Sequence, residues 1–389
     1  MYYSREVAHQ IEKLRKGFPV ISVIGPRQSG KTTFLQHYFK HYSYFNLENP
    51  QTRDLIEQDP QQFITLNPKN IIIDEVQRLP DLLSYIQVHV DKQQEMGSIV
   101  ISGSQNLLIS EKISQSLAGR AAYQNIFPFS LSELQMHGLA LPGHLDQMLK
   151  GFYPAVYTRE IEPNEFYNQY IVTYVDRDAR LIKNIQNLSQ FQKFMRLLAG
   201  RVGQIVNISS LANDTGVAPN TAEDWISILE ASYIVYRLHP YYKNIGKRLI
   251  KSPKVYFYDT GLLCALLNVV EPQELATHFL IGGIFENFII SEFKKELSAR
   301  GLPVPLYFYR DQQGREIDLI FESKTKLIPV EIKSSSTFNR TFFDAFTYWR
   351  KNIQAEISGY VIYSGLDSQK VGEDNLLAWN KLDTLIDHL

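Results

Sequence analysis

Gly25-Pro26-Arg27-Gln28-Ser29-Gly30-Lys31-Thr32 is the stretch that decides the reading of this chain. It fits G-x-x-x-x-G-K-[ST] at every specified position. An apolar run, residues 19–24, precedes it, and a helical pattern begins at Lys31. The glycines let the backbone wrap a phosphate, while the helix N-terminus offers unpaired N–H groups and a partial positive charge. Lys31 is placed to reach the β- and γ-phosphates and Thr32 to ligate magnesium. Residues Gly25 through Thr33, with Thr33 closing the set, are therefore the expected binding residues for ATP and Mg2+.

A second stretch supports the first. Ile71-Ile72-Ile73-Asp74-Glu75 reads as a buried strand ending in two acids. In a parallel sheet such an end faces the nucleotide crevice. Asp74 is expected in the magnesium shell and Glu75 as the base that orients the attacking water, unless Glu75 only caps the next helix. Residues 98–102 form a further strand candidate, ending in Gly103-Ser104-Gln105, where Ser104 is suited to sense the γ-phosphate. Arg120, in Leu117-Ala118-Gly119-Arg120, is a candidate phosphate contact in its own subunit or in a neighbour of a homo-oligomer, or a plain surface arginine. Asn380-Lys381-Leu382-Asp383 spells a guanine-reading motif but lies far outside the first domain, so ATP is favoured over GTP.

Composition bounds the rest. With 40 basic and 41 acidic residues, the molecule as a whole does not attract polyanions, so any nucleic-acid affinity must come from local patches. The single Cys264 excludes an internal disulfide framework and a Cys-rich metal site. Residues 1–16 lack the continuous apolar core of a signal peptide, and no apolar window is long enough to cross a bilayer. A soluble, cytoplasmic protein is expected.

Strands alternating with helices in residues 1–130 argue for an α/β P-loop NTPase sheet, parallel and covered on both faces. Residues 131–195 then read as a helical lid, 196–270 as a winged helix, and 275–389 as a smaller α/β domain. In the third of these, residues 208–217 and a helix opening at Pro219-Asn220-Thr221 precede two β-like runs, 233–238 and 255–258. This helix-turn-helix plus hairpin resembles a winged helix. Between the strands stand Lys243, Lys247, Arg248, Lys251 and Lys254 with no acid among them, a patch that could grip a DNA or RNA backbone or serve as a protein-docking wing.

The last domain holds two facing acids. Residues 316–322 and 327–333 alternate polar and apolar side chains, joined by residues 323–326 as a hairpin loop. If Glu322 opposes Leu327, Asp318 falls opposite Glu331 and Glu316 opposite Lys333. Like charges so placed destabilise unless something positive sits between them. Magnesium on Asp318 and Glu331 would serve, with Lys333 steering water or phosphate. The spacing resembles the PD-(D/E)xK nuclease core. Glu286 stands where that fold places a further acid, and Ile317 replaces the usual proline. A surface hairpin knit by Glu316–Lys333 pairing is the plainer alternative.

Together these stretches resemble a widespread group of prokaryotic AAA-like ATPases. Tyr3-Ser4-Arg5, Ile73-Asp74-Glu75-Val76-Gln77, Leu117-Ala118-Gly119-Arg120, Tyr256-Phe257-Tyr258-Asp259-Thr260-Gly261 and Glu331-Ile332-Lys333-Ser334-Ser335 carry the likeness. It implies an AAA-type P-loop domain, a lid, a winged helix and a nuclease-like C-terminal domain, and names no substrate. Two functions follow as expectations: an ATP-driven nucleic-acid enzyme, or an ATP-dependent switch or scaffold whose C-terminal domains bind proteins.

Overall fold

Three consecutive isoleucines show how the first sheet is held. Ile71 and Ile73 enter one apolar cluster with Val20, Ile99 and Ile101, and Ile72 enters another with Ile21, Val23 and Val100. Side chains alternate across a strand, so a run apolar at every position needs cover on both faces, as parallel sheets have. The sheet comprises β1 (Val20–Ile24), β2 (Ser43–Asn46), β3 (Ile71–Asp74), β4 (Ile99–Gly103) and β5 (Ala121–Asn125). Its order is β2-β3-β4-β1-β5, with every neighbouring pair parallel. The sequence pattern misses β2 and β5. Both are edge strands with polar or small residues, and β2 has no fully buried position.

The computed structural model describes every residue except 1, 94, 105–116, 176–184, 186, 242–251, 312, 324–325, 353–356 and 388–389. The chain falls into two units. The first comprises Met1–Glu133, Ala231–Tyr233 and Glu296–Leu302; the second comprises Leu134–Glu230, Ile234–Lys295 and Pro303–Leu389. The segments read as lid, winged helix and nuclease-like domain thus lie mostly in one unit. No helix among the described residues is long and apolar enough to cross a membrane.

The second unit contains the helices Leu188–Ala199, Ile208–Thr215 and Pro219–Ala231, then β6 (Val235–Pro240) and β7 (Lys254–Phe257), which pair antiparallel. β6 outruns the expected hairpin and joins the C-terminal strands, with His239 opposite Tyr307. This pairing is why no boundary falls near residue 270. Strands β8 (Leu306–Arg310), β9 (Glu316–Ser323), β10 (Lys326–Lys333), β11 (Tyr360–Tyr363), β12 (Gln369–Val371) and β13 (Asp374–Ala378) complete a sheet of order β12-β13-β11-β10-β9-β8-β6-β7. Between β7 and the helix Thr260–Leu266, Asp259 caps the helix at the Leu262 N–H (2.9 Å) and accepts the Phe152 N–H (2.8 Å). A side chain at Gly261 would meet the Tyr167 ring at 2.3 Å, so the Asp-Thr-Gly segment serves packing.

The β9–β10 register pairs Glu322 with Leu327 and Leu319 with Val330, as the alternation predicts. The connection is shorter than four residues, because Ser323 and Lys326 themselves pair. The simple inward face fails on β10, where Val330, Glu331 and Ile332 are all buried. β10 lies between β9 and β11, so both of its edges are paired there.

In the first unit, Glu6 precedes the helix Val7–Leu14 and shares Ser132 Oγ with Glu296. Burial, then the charges of Glu296 and Glu133, push the Glu6 carboxyl up to about 8. The folded state therefore holds this proton at pH values where an unfolded glutamate has lost it. The stabilisation is complete below about pH 4.5 and is lost as pH rises toward 8. The unfolding midpoint of the first unit is expected to fall between pH 5 and 8, and Glu6→Gln to flatten that fall. Identical thermal profiles of both proteins across this range would refute the assignment.

Candidate nucleotide and carboxylate sites

The P-loop leaves β1 at Ile24 and closes on the helix Lys31–Tyr38. Gly25 has φ 151°, and a Cβ there would lie 2.2 Å from the Ile126 carbonyl oxygen, so only glycine fits. Gly30, at φ 91°, caps the helix. Lys31 is buried, and its Nζ donates to the Gly25 (2.9 Å) and Pro26 (2.7 Å) carbonyls of its own loop. Ser29 is buried, Arg27 half-buried, and Gln28, Thr32 and Thr33 are exposed.

Asp74 ends β3 beneath this loop at 1% exposure. Its Oδ2 accepts from Thr32 Oγ1 (2.7 Å) and from the Tyr44 hydroxyl on β2 (2.6 Å). Its Oδ1 accepts from Ser102 Oγ on β4 and from the Glu75 N–H (3.1 Å). Glu75 takes the left-handed region at φ 58°, and its side chain does not cap the short helix Val76–Arg78. Its carboxylate accepts instead from Gln77 Nε2 and from Ser104 Oγ (3.2 Å). Ser104 is thereby tied to the candidate base, and Gln105 lies outside the described residues.

Arg120 sits elsewhere. It precedes β5, whose Ala121 is level with Val20 at the start of β1, and its guanidinium holds Asp91 (Nη2–Oδ2 2.9 Å). About four residues of strand, some 13 Å at ~3.3 Å per residue, separate it from the loop that follows Ile24. This placement puts Arg120 at the opposite end of β1 from the P-loop, bound to Asp91. The N-terminal segment supplies a different arginine. Arg5 donates to the P-loop at the Ser29 carbonyl (3.0 Å), to the Phe127 carbonyl (2.7 Å) and to Glu133 Oε1 (2.9 Å).

The donor set fits a magnesium nucleotide. A loop shaped around glycine faces a lysine, a hydroxyl next to a carboxylate, and a second carboxylate held by neutral donors. Tyr44, Gln77 and Arg5 were not legible as site residues. Tyr44 lies on the unrecognised β2, and Arg5 acts across more than a hundred residues of sequence.

The second unit gathers four acids. Glu286, from the helix Ile281–Ala299, joins Glu316 and Asp318 of β9, and one oxygen of each lies within 4.8 Å of the others. Asp318 Oδ2 accepts the Ile332 N–H (2.8 Å) and faces Lys333 Nζ at 3.4 Å. Lys333 also donates to Glu331 Oε2, while Glu331 Oε1 is buried without a hydrogen-bond partner among the described residues. The expected Asp318–Glu331–Lys333 grouping is thus assembled. Glu316 does not pair with Lys333. It holds Lys254 and Arg310 (3.1 Å).

Lys254 is a correction to the basic-patch reading. It begins β7 with its side chain 1% exposed and donates to Glu286 Oε1 at 2.9 Å. It is no surface contact for nucleic acid, and Lys243, Lys247, Arg248 and Lys251 lie outside the described residues. Its position in sequence hid this, because it ends a basic run by composition and begins a buried strand by pattern. Burial pushes Glu286 up to about 7 against the pull of Lys254, and burial with the Asp318 charge pushes Glu331 up to about 8. Lys254, penalised by burial, is nevertheless held above its usual range by Glu286 and Glu316. Burial is the main reason two of these carboxylates cling to protons, and the Asp318 charge adds to it. Oxygen ligands of this kind suit a hard divalent cation.

Comparison with known proteins supports an AAA-type domain in the first unit. Residues 17–135 match an AAA domain model, and residues 144–273 and 281–382 match two domains of unknown function, DUF8612 and DUF4143. The uncharacterized protein Rv2008c of Mycobacterium tuberculosis is 32% identical over 337 residues, covering 86% of this chain and 74% of that protein. The uncharacterized protein MJ1544 of Methanocaldococcus jannaschii is 22% identical over 79% of this chain and 73% of its own length. Among solved structures, the Walker-type ATPase PABY2304 of Pyrococcus abyssi is 14% identical over 67% of this chain and 94% of that one, with a TM-score of 0.45. At 32% identity over 86% of its length, the chain belongs to the family of the Mycobacterium tuberculosis protein Rv2008c, and its first unit is built on an AAA domain.

Proposed function

We propose that the chain is an ATP-hydrolysing AAA-type protein that acts on nucleic acid through its second unit. The observation that carries the ATPase reading is Thr32 bonded to Asp74 across the P-loop, with Glu75 poised beside them. Thr32 and Asp74 would hold Mg2+, which supplies charge neutralisation at the phosphates. Lys31 would leave its own loop carbonyls for phosphate oxygens, and Glu75 would orient the attacking water. Ser104 and Gln77 fix the Glu75 carboxylate and so decide where that water can stand.

The nucleic-acid reading rests on the cluster of Asp318, Glu331 and Lys333, a set suited to metal-dependent phosphodiester cleavage in a PD-(D/E)xK-like domain. The rest of the basic run, Lys243, Lys247, Arg248 and Lys251, would grip the backbone. The alternative, an ATP-dependent switch or scaffold, gains support from the burial of Lys254, which leaves that patch one cation weaker. DNA-stimulated ATP turnover separates the two: stimulation supports the first, and its absence the second.

Lys31→Ala is expected to lose tight ATP binding, whereas Glu75→Gln should bind ATP and hydrolyse it about 10²–10⁴-fold more slowly. Nucleotide-binding fluorescence and phosphate release check both, and an Lys31→Ala protein with unchanged affinity would end the ATPase reading. Asp318→Asn should abolish Mg2+-dependent DNA cleavage while ATP hydrolysis persists, and equal cleavage by that variant would remove the nuclease assignment. Neutralising Lys247, Arg248 and Lys251 together should flatten the slope of log K against log salt by about 0.9 per lost duplex contact. An unchanged slope would show that DNA binds elsewhere.

A further inference from the structure

An ionised carboxylate offers about four acceptor positions on its two oxygens. At Asp74 all four are taken. Thr32 Oγ1 and the Tyr44 hydroxyl donate to Oδ2, at 2.7 and 2.6 Å, while Ser102 Oγ and the Glu75 N–H donate to Oδ1. Magnesium gives up its waters reluctantly and keeps several of them when protein oxygens bind it. A carboxylate in its shell must therefore accept from those waters or replace one. With every acceptor position filled, Asp74 can do neither until a donor withdraws. Three of the four donors are poorly placed to leave. Thr32 belongs to the magnesium site itself, and Glu75 donates from its backbone. Ser102 is buried on β4, which is paired on both sides with β1 and β3. Tyr44 differs from all of them. It is half-buried on β2, an edge strand whose one partner in the sheet is β3. It is level with Ile72 and so shares the sheet face of Asp74, two residues on. Its side chain can turn toward the sheet edge without breaking a strand pairing.

We infer that Tyr44 is a positioning residue that competes with a magnesium nucleotide for Asp74, giving up its bond to Oδ2 as the nucleotide loads. The hydroxyl thus sets how much Mg2+ loading requires, and the bond it loses makes β2 the strand that registers a loaded P-loop. The inference rests on the reading of Thr32 and Asp74 as the magnesium residues. It adds a control on loading that lies outside the nucleotide motif.

The test compares full-length wild type with Tyr44→Phe, using binding of a fluorescent ADP analogue titrated with MgCl2, and thermal unfolding. In EDTA without nucleotide, Tyr44→Phe is expected to melt lower than wild type, because a hydrogen bond to a charged group is gone. At saturating MgADP the two midpoints should converge, since the loaded protein no longer uses that bond. The variant should also reach half-maximal magnesium-dependent binding at about tenfold less Mg2+. A merely structural tyrosine would lower both melting midpoints alike and leave the Mg2+ requirement unchanged. A tyrosine that stays on Asp74 in the loaded protein would make the variant need more Mg2+. Either result overturns the inference and spares the magnesium site. Wild-type binding indifferent to Mg2+ would remove the magnesium reading, and the inference with it. Should Tyr44→Phe fail to fold, nitration of wild-type Tyr44 by tetranitromethane, followed by mass spectrometry, decides. MgADP is expected to speed it, and an unchanged or slower rate would overturn the inference.

Discussion

The carboxylate of Asp74 is the point on which the first unit closes. It is buried at the end of β3, and a charge in that position must be met by donors on every side. The donors come from four places: the P-loop helix, β2, β4 and the next peptide bond. Hydrogen bonds to a charged group contribute about 1.5–3 kcal/mol each in net terms, so this one side chain fixes three strands and the loop against one another. Glu75 donates its N–H to Asp74 and itself takes the left-handed region, while its carboxylate is held by Gln77 and Ser104.

The second unit meets the same electrostatic demand by other means. Neutral hydroxyls surround Asp74, whereas ammonium groups stand among Glu286, Glu316, Asp318 and Glu331. Neutral donors leave the charge of Asp74 uncancelled. Lysines partly cancel the charge they sit beside, so the acids of the second cluster are held together by ion pairs.

What the sequence made legible divides along these lines. The P-loop, the strand ending in Asp74 and the register of β9 with β10 are local patterns, each complete within a dozen residues or so. They are therefore readable from spacing alone. The hairpin register survives even though the loop is shorter than expected, because lengthening both strands equally leaves the pairing unchanged. Edge strands such as β2 carry no apolar signature, and Tyr44 was hidden with it. Lys254 and Glu316 failed for another reason. Their environment is made by a helix and by sheet neighbours far away in sequence, and a charge with no visible local partner reads as solvated. Arg120 had a plausible neighbourhood in sequence but lies at the wrong end of the sheet, which only strand direction reveals.

Arg5 gives the P-loop a support that the loop's own sequence does not contain. Its guanidinium grips the backbone of Ser29 from behind and is itself anchored by Glu133 and the Phe127 carbonyl. The shape of the phosphate cradle is thus partly stored in the first few residues of the chain. A polypeptide begun at Val7 would keep every residue of the nucleotide motif and the whole parallel sheet, yet its loop would be free to relax away from the phosphates.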